Sequence, residues 1–114
     1  MRLGKAARLR RRREFLAVQE RGRRVHAGEL VVLALATGGN RPRIGITVSS
    51  RVGNAVVRNQ IKRWVREAFR AAAASLPPVD VVVVARPGAG RVGQGGVREA
   101  IRSAAARLSA GSAR

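Results

Sequence analysis

The four consecutive valines at positions 81–84 are the feature that most constrains how this chain can fold. They lie in a 114-residue chain with a formal net charge of +18, so an apolar segment of this kind stands out from its surroundings. An unbroken apolar run without alternation is typical of a strand that is covered on both faces and often runs parallel to its neighbour. The sequence therefore predicts a buried strand here.

Two further segments have the pattern of strands. Residues 30–36 (LVVLALA) form an apolar run that ends at Gly38, Gly39 and Asn40, and residues 43–49 alternate strictly. Two such runs joined by turn-forming residues predict a hairpin. In the second run, positions 44, 46 and 48 share one face, which we expect in the core, and the opposite face is small, polar and accessible.

Three helices complete the predicted order. Residues 14–20 fit a helix of two or three turns, and residues 97–108 fit an amphipathic helix. A long helix should run from about residue 55 to about residue 75 and end before the two prolines at 77 and 78. Strand 43–49, this long helix and strand 81–84 form a βαβ unit. We expect one domain over residues 1–114, with flexible tails at 1–9 and 109–114 and a basic segment over 1–13 that is disordered until it binds.

The charge predicts a polyanionic partner. Arginine accounts for 22 of the 24 basic residues, and only Lys5 and Lys62 are lysines. Arginine makes forked contacts with phosphate and stacks on bases, which favours nucleic acid over a membrane. No run approaches the roughly 20 apolar residues of a membrane span, and Glu14 and Glu20 follow the basic N-terminus where a signal peptide would be apolar. We expect a cytoplasmic protein without a membrane partner.

The long helix concentrates this charge on one side. On a helical wheel its basic residues occupy one arc, and Ile61, Trp64, Val65 and Ala68 form an apolar stripe suited to packing on a sheet. Like charges four residues apart cost a few tenths of a kcal/mol each, so an anionic partner that relieves them explains the pattern better than a merely solvated face. Asn59 could contact a base edge or a sugar hydroxyl, or could serve the first turn of the helix.

The loop before the helix extends the same surface. Gly53 and Asn54 allow a tight turn that leaves backbone N–H groups near the helix N-terminus, where a phosphate is favoured. Arg51 stands beside them. The predicted RNA-binding residues are Arg51, Gly53, Asn54, Arg58, Asn59, Lys62, Arg63 and Arg66.

The sequence contains no arrangement typical of a nuclease that acts alone. It has no cysteine, a single histidine (His26) and six scattered acids, without a His/acid cluster or a carboxylate pair close in sequence. We predict no catalytic residue, no metal site and no protein-bound cofactor, with His26 at the surface. A ribosomal or other structural RNA-binding protein would share the small size and high charge, and remains open on these grounds.

The order of residues in the basic segment resembles the protein component of bacterial ribonuclease P. That family has a Val-Gly-Asn/Lys-Ala-Val loop, an Arg-Asn-Arg-x-Lys-Arg segment and Arg-Glu-Ala-Phe, and here these places are held by residues 52–56, 58–63 and 66–69. The likeness extends to RPRIGITVS at 41–49 and VVARPG at 83–88, and it covers residues 10–108.

The resemblance implies a two-layer α/β (α+β) sandwich of order α-β-β-(β)-α-β-α whose βαβ crossover is left-handed, against the usual preference. It also implies that the protein binds a catalytic RNA through the basic loop and helix, and the 5′ leader of precursor tRNA in a cleft between the first helix and the sheet. Cleavage would then belong to the RNA with Mg²⁺. The implied cleft residues are Arg11, Arg12, Phe15, Arg43 and Ser49, although Phe15 suits the core equally well.

Four positions depart from the family's pattern. Gln19 and Leu33 replace aromatic residues of many relatives, so we expect leader stacking to be weaker here and leader binding to be more electrostatic. Gln60 replaces the second Arg of the signature and removes a possible phosphate contact. Ser50 stands where a Lys usually precedes Arg51.

Overall fold

The computed structural model describes residues 7–37 and 39–112 as three helices around one four-stranded sheet. The predicted mixed α+β sandwich is confirmed. Short 3₁₀ turns at Ala73–Ser75 and Pro87–Arg91 precede and follow the last strand. The elements are α1 (Arg12–Arg21), β1 (Arg23–Ala27), β2 (Leu30–Ala36), β3 (Arg43–Val48), α2 (Ala55–Ala72), β4 (Val79–Ala85) and α3 (Gly93–Ser112).

The strand of valines, β4, lies inside the sheet, whose order is β1-β2-β4-β3. It pairs antiparallel with β2 and parallel with β3, so the predicted buried strand and the parallel βαβ unit are confirmed. The handedness of that crossover stays a prediction. The predicted hairpin between residues 30–36 and 43–49 is wrong, because β4 separates the two strands.

The hairpin of this fold is instead formed by β1 and β2. Ala27 pairs with Leu30 across a tight turn, and Gly28 adopts a φ of +58°, which favours glycine. The expected order placed its optional strand after the other two, directly before the long helix, whereas β1 precedes them. Its sequence, RRVHA, buries only Val25 and Ala27, so its apolar signal is too short to identify a strand from the sequence.

Helices cover both faces of the sheet. α2 and α3 pack on one face, where Ile61, Val65 and Phe69 of α2 meet the alternate side chains of the strands. α1 packs on the other face through Val18, against Leu33 of β2 and Val82 of β4. Coverage on both faces explains why β4 has an unbroken apolar sequence.

The described ends of the chain make regular contacts within the predicted tails. Arg8 forms a parallel bridge with Ile44, and the N–H of Leu9 donates to the Ile44 carbonyl over 2.8 Å. Leu9 is 6% exposed, so these two residues of the predicted tail pack against the fold, and the flexibility of the tail stays a prediction. α3 likewise continues to Ser112, beyond the expected end near residue 108. Residues 1–6, 113 and 114, which include the rest of both predicted tails, lie outside the described residues.

A group of three charged side chains ties α1 to the sheet. Asp80 of β4, the one buried charged side chain in the described part of the chain, accepts from Nε and Nη2 of Arg43 over 2.8 and 2.7 Å. Nη1 of Arg43 lies 3.0 Å from Oε2 of Glu14 in α1. The hydrogen bonds with Asp80 raise the pKa of Arg43 above its ordinary value, and Glu14 adds to this. Arg43 therefore connects the first turn of α1 to two neighbouring strands.

The Arg43–Asp80 pair should contribute to stability. We expect Asp80→Asn to lower the free energy of unfolding by about 2 to 3 kcal/mol, below the roughly 3 to 5 kcal/mol of a fully buried pair, because Arg43 keeps Glu14 and some contact with water. Urea denaturation of the purified protein measures this. The matched control, Glu99→Gln, removes the exposed Glu99–Arg102 pair and should leave the midpoint nearly unchanged. Equal effects of the two substitutions would contradict the structural role of Asp80.

Glu14 should make the stability depend on pH. Its carboxylate accepts from the N–H of Arg11 over 3.0 Å, which is the main cause of a pKa below the ordinary 4.5; the N–H of Arg10 and the charge of Arg43 lower it further. Because the folded state has the lower pKa, this stabilisation is complete above pH 4.5 and is lost as the pH falls through the folded-state value. We expect the wild type to unfold at higher urea than Glu14→Gln at pH 7, with the difference closing in acid. A difference that stays constant down to pH 2 would refute this.

Candidate nucleic-acid interface

The sequence of α2 fixes which of its sides faces solvent. Asn54 caps the helix, its Oδ1 accepting from the N–H of Val57 over 3.0 Å. The predicted apolar stripe packs on the sheet, and Phe69, which lies at the edge of the stripe on the wheel, is fully buried. The basic arc therefore lies outside the packed stripe, with Arg63 and Arg70 exposed and Arg58, Lys62 and Arg66 half-buried.

Contacts within the chain shape the loop before α2. A Cβ at Gly53 would lie 3.0 Å from the side chain of Val57, which explains the glycine. Asn54 uses its side-chain oxygen on the N–H of Val57, so that N–H is not free for a phosphate as the sequence suggested. Ser49 and Arg51 are exposed around a turn in which the Val52 N–H donates to the Ser49 carbonyl over 3.1 Å.

A groove at the edge of β3 brings the two predicted sets of residues together. Its volume is about 130 Å³, and it lies where α1, β3, α2 and the N-terminal segment meet. Phe15, an implied cleft residue, therefore shares one site with Lys62 and Arg66, which were predicted to bind RNA. In the described part of the chain, the groove is lined by Arg8, Leu9, Phe15, Ile44, Gly45, Ile46, Lys62 and Arg66.

The groove is strongly positive. Three cationic side chains line it, and no acidic side chain is among its described lining residues. Burial lowers the pKa of Arg66, and the charge of Arg8 lowers it further. The Nε of Arg8 is buried without a hydrogen-bond partner in the part of the chain that the structure describes. A bound anion would relieve the repulsion and offer acceptors to these donors.

Sequence reasoning missed Arg8, which it assigned to a disordered segment. The only available signal was Leu9, one apolar residue in a basic run. Its burial in the cluster beneath α1, with its hydrogen bond to the Ile44 carbonyl, fixes the backbone of Arg8 against β3.

Phe15 combines the two roles that the sequence left open. It is half-buried and packs against the cluster beneath α1, and it also lines the groove. A Cβ at position 45 would overlap its ring, so Gly45 is the residue that allows Phe15 to lie on the strand. One part of the side chain thus belongs to the core while another remains available to a ligand.

Other implied cleft positions have different surroundings. Arg43 contacts Asp80 and Glu14, which gives it an architectural role, and the expected phosphate contact stays a prediction. Arg11 and Arg12 are exposed at the start of α1 and remain available. Leu33 is only 2% exposed, packed beneath α1, so this departure from the family lies within the core.

The described residues show no group of three His, Cys, Asp or Glu side chains that could hold a metal ion. His26 is exposed on β1, as predicted, and its backbone carbonyl accepts from Arg107 over 2.8 Å. No helix in the described ranges is both long and apolar enough to cross a membrane.

Comparisons with known proteins agree with this description. The family profile of Ribonuclease P matches residues 3–109. The ribonuclease P protein component of Desulfovibrio desulfuricans is 47% identical over 91 residues, 77% of this chain and 70% of its own length. The structure of the Staphylococcus aureus RNase P protein superposes with a TM-score of 0.83 at 29% identity, over 91% of this chain and 98% of that one. The RNase P protein of Thermotoga maritima in complex with 1-(4-fluorophenyl)-2-thiourea gives 0.80 at 36% identity, over 88% and 98%.

These matches confirm the resemblance and replace the alternative of a ribosomal protein that charge alone left open. They also agree with the observed order of strands and helices. The chain belongs to the ribonuclease P protein family, as the accessory protein subunit of an endoribonuclease complex that works with an RNA subunit in tRNA 5′ processing.

Proposed function

We propose that the groove at the edge of β3 binds the 5′ leader of precursor tRNA, while the outer part of the basic arc of α2 binds the RNA subunit. The observation that carries this proposal is the meeting of one aromatic ring and three cations in a groove whose described lining contains no acid. Single-stranded nucleic acid is bound by this combination of stacking surface and positive charge.

The binding role that we propose for each residue follows from its position. Arg8, Lys62 and Arg66 contact leader phosphates in the groove, and Phe15 offers its accessible edge and face to a base. Arg11 and Arg12, exposed at the start of α1, extend the positive path. Arg58 and Arg63, with the exposed loop residue Arg51, face the RNA subunit. Gly53, Asn54, Arg43 and Ser49 shape or border this surface.

The protein contributes affinity in this scheme, and the RNA subunit carries the reaction. Mg²⁺ held by the RNA supplies the hydrolytic chemistry. The protein's cations offset the repulsion between leader and RNA backbones, which strengthens substrate binding and lowers the Mg²⁺ concentration that the complex needs. We propose that this takes place in the cytoplasm.

Reconstitution tests the proposed role directly. We expect the protein to promote cleavage of precursor tRNA by a bacterial ribonuclease P RNA at low Mg²⁺, where the RNA alone is slow and the protein alone is inactive. Gel analysis of the 5′-labelled substrate measures the rate and the cleavage site. Cleavage that is no faster with the protein than without it would refute the proposal.

The basic arc should set the salt dependence of RNA binding. We expect Arg58→Ala, Lys62→Ala and Arg66→Ala each to reduce the slope of log K against log salt concentration by roughly 0.7 to 1, because each removes one phosphate contact. Filter binding measures the slope, to the RNA subunit for Arg58→Ala and to precursor tRNA in the holoenzyme for Lys62→Ala and Arg66→Ala. Arg102→Ala on α3 is the control and should keep the wild-type slope. Unchanged slopes for all three variants would show that α2 is not part of the RNA-binding interface.

Phe15 should act only on substrates that carry a leader. Phe15→Leu keeps an apolar side chain over Gly45 but removes the ring, so we expect affinity for precursor tRNA to fall by roughly 1 kcal/mol, the lower end of a stacking contact. Affinity for mature tRNA should not change. Binding of the holoenzyme to substrates of increasing leader length measures the difference, with Leu16→Ala as the neighbouring control. Equal losses for both kinds of tRNA would show that Phe15 serves only the core.

A further inference from the structure

The floor of the groove at β3 is formed by the main chain of that strand. Three consecutive residues line it, Ile44, Gly45 and Ile46. Successive side chains of a strand point to opposite faces, so neighbours in sequence line the same groove where the strand presents its edge. Gly45 contributes backbone alone. The groove therefore reaches the edge of β3 as well as the side chains around it.

The hydrogen bonds of β3 show which of its backbone groups point outward. The carbonyl of Ile44 accepts from the N–H of Leu9 over 2.8 Å, so it points away from β4 and toward the free side of the strand. Backbone groups of a strand repeat their direction at every second residue. The N–H and C=O of Ile46 therefore also point outward, whereas those of Gly45 face β4.

Both outward groups of Ile46 remain open. Arg8 forms the bridge to β3, and the chain then turns into α1 at Arg12 and leaves the edge of the strand. The N–H groups of Arg10 and Arg11 donate to the carboxylate of Glu14 over 3.2 and 3.0 Å. Within the described ranges no hydrogen bond reaches Ile46 from that side. A donor and an acceptor are thus left side by side on the floor of a positive groove.

A donor beside an acceptor suits the edge of a nucleobase better than a phosphate or a second polypeptide. A phosphate offers only acceptors, and the Ile46 carbonyl would repel it. A second copy of this chain would bring a formal charge of +18 onto the three cations of the groove. Bases carry donors and acceptors together on their edges, and the bases of a single strand leave those edges open.

We propose that the N–H and C=O of Ile46 pair with the edge of one leader base in this groove. This inference rests on the proposed function and deepens it, because it adds a main-chain contact to the stacking on Phe15 and to the phosphate contacts of the cations. The contact depends on the place of β3 at the edge of the sheet. Every residue type except proline would carry the same two groups at position 46.

Replacement of the Ile46 amide by an ester tests the contact. The α-hydroxy acid analogue of isoleucine, incorporated at position 46, removes the N–H and keeps the side chain. We expect the affinity of the holoenzyme for precursor tRNA to fall about threefold to tenfold, the net effect of one hydrogen bond, and its affinity for mature tRNA to stay unchanged. The same replacement at Val48 is the matched control, because that N–H points to the same side two residues further on and Val48 is not among the described lining residues. The control should bind as the wild type does.

Two further measurements identify the base and observe the N–H directly. Leaders with an abasic site at each position in turn should show one position at which loss of the base weakens binding to the wild type more than binding to the ester variant at 46. Exchange of the Ile46 amide proton, followed by NMR on the full chain, needs no variant. It should be fast in the free protein and slow with a leader oligonucleotide bound, while exchange at Val48 stays the same.

The outcomes separate this inference from the proposed function. A wild type whose affinity for tRNA does not depend on the leader would overturn both. Leader-dependent affinity that the esters at 46 and 48 change equally, or an Ile46 amide whose exchange the oligonucleotide does not slow, would overturn only the main-chain contact. Coupling of the ester at 46 to a methylphosphonate in the leader, and to no abasic site, would assign the edge to a phosphate and would also overturn the base contact. Self-association in sedimentation that the ester at 46 abolishes, without coupling to an abasic site, would assign the edge to a second copy of the chain and would overturn it as well.

Discussion

The pairing of β4 with both β2 and β3 is the constraint on which the rest of the structure depends. Because β4 takes the inner place, β3 becomes an edge strand, and its free side is open to the N-terminal segment. α1 and α2 cover opposite faces of the sheet, so their side chains can meet only around such an edge. The groove that joins Phe15 to Lys62 and Arg66 exists because β3 lies there. Had β2 and β3 formed a hairpin, β3 would have had a second partner along that edge.

The charged groove is held in place by the apolar parts of the same elements. Arg8, Lys62 and Arg66 repel one another, and burial adds to the cost of keeping Arg66 charged. The folded chain maintains this arrangement because Leu9, Ile61 and Val65 are buried next to them. Acidic side chains are used elsewhere: Asp80 and Glu14 neutralise Arg43, which orients α1. The repulsion among the cations of the groove is therefore left unrelieved where an anion can bind. The charge of Arg43, which only positions α1, is neutralised by Asp80 and Glu14.

Local patterns in the sequence were enough to predict α2, its two sides and the buried strand, because helical periodicity and an unbroken apolar run depend on neighbouring residues. Strand pairing was not predictable in the same way. The local sequence of residues 30–36 and 43–49 is typical of a hairpin. The two strands do not pair with each other because β4 lies between them and pairs with both. The roles of Arg43 and Arg8 were missed for the same reason, since their partners, Asp80 and Ile44, lie more than thirty positions away in the chain.

The division of α2 into an apolar stripe and a basic arc gives its solvent-facing side chains different directions. Ile61, Val65 and Phe69 fix its rotation on the sheet, so every other position has a determined direction. Lys62 and Arg66 then point to the edge of β3, whereas Val56, Gln60 and Arg63 point to the opposite side. An arginine at position 60 would add a cation to a surface that already includes Arg63 and would attract any phosphate nearby. Gln60 is neutral, and the many remaining arginines of the chain supply the general attraction to RNA.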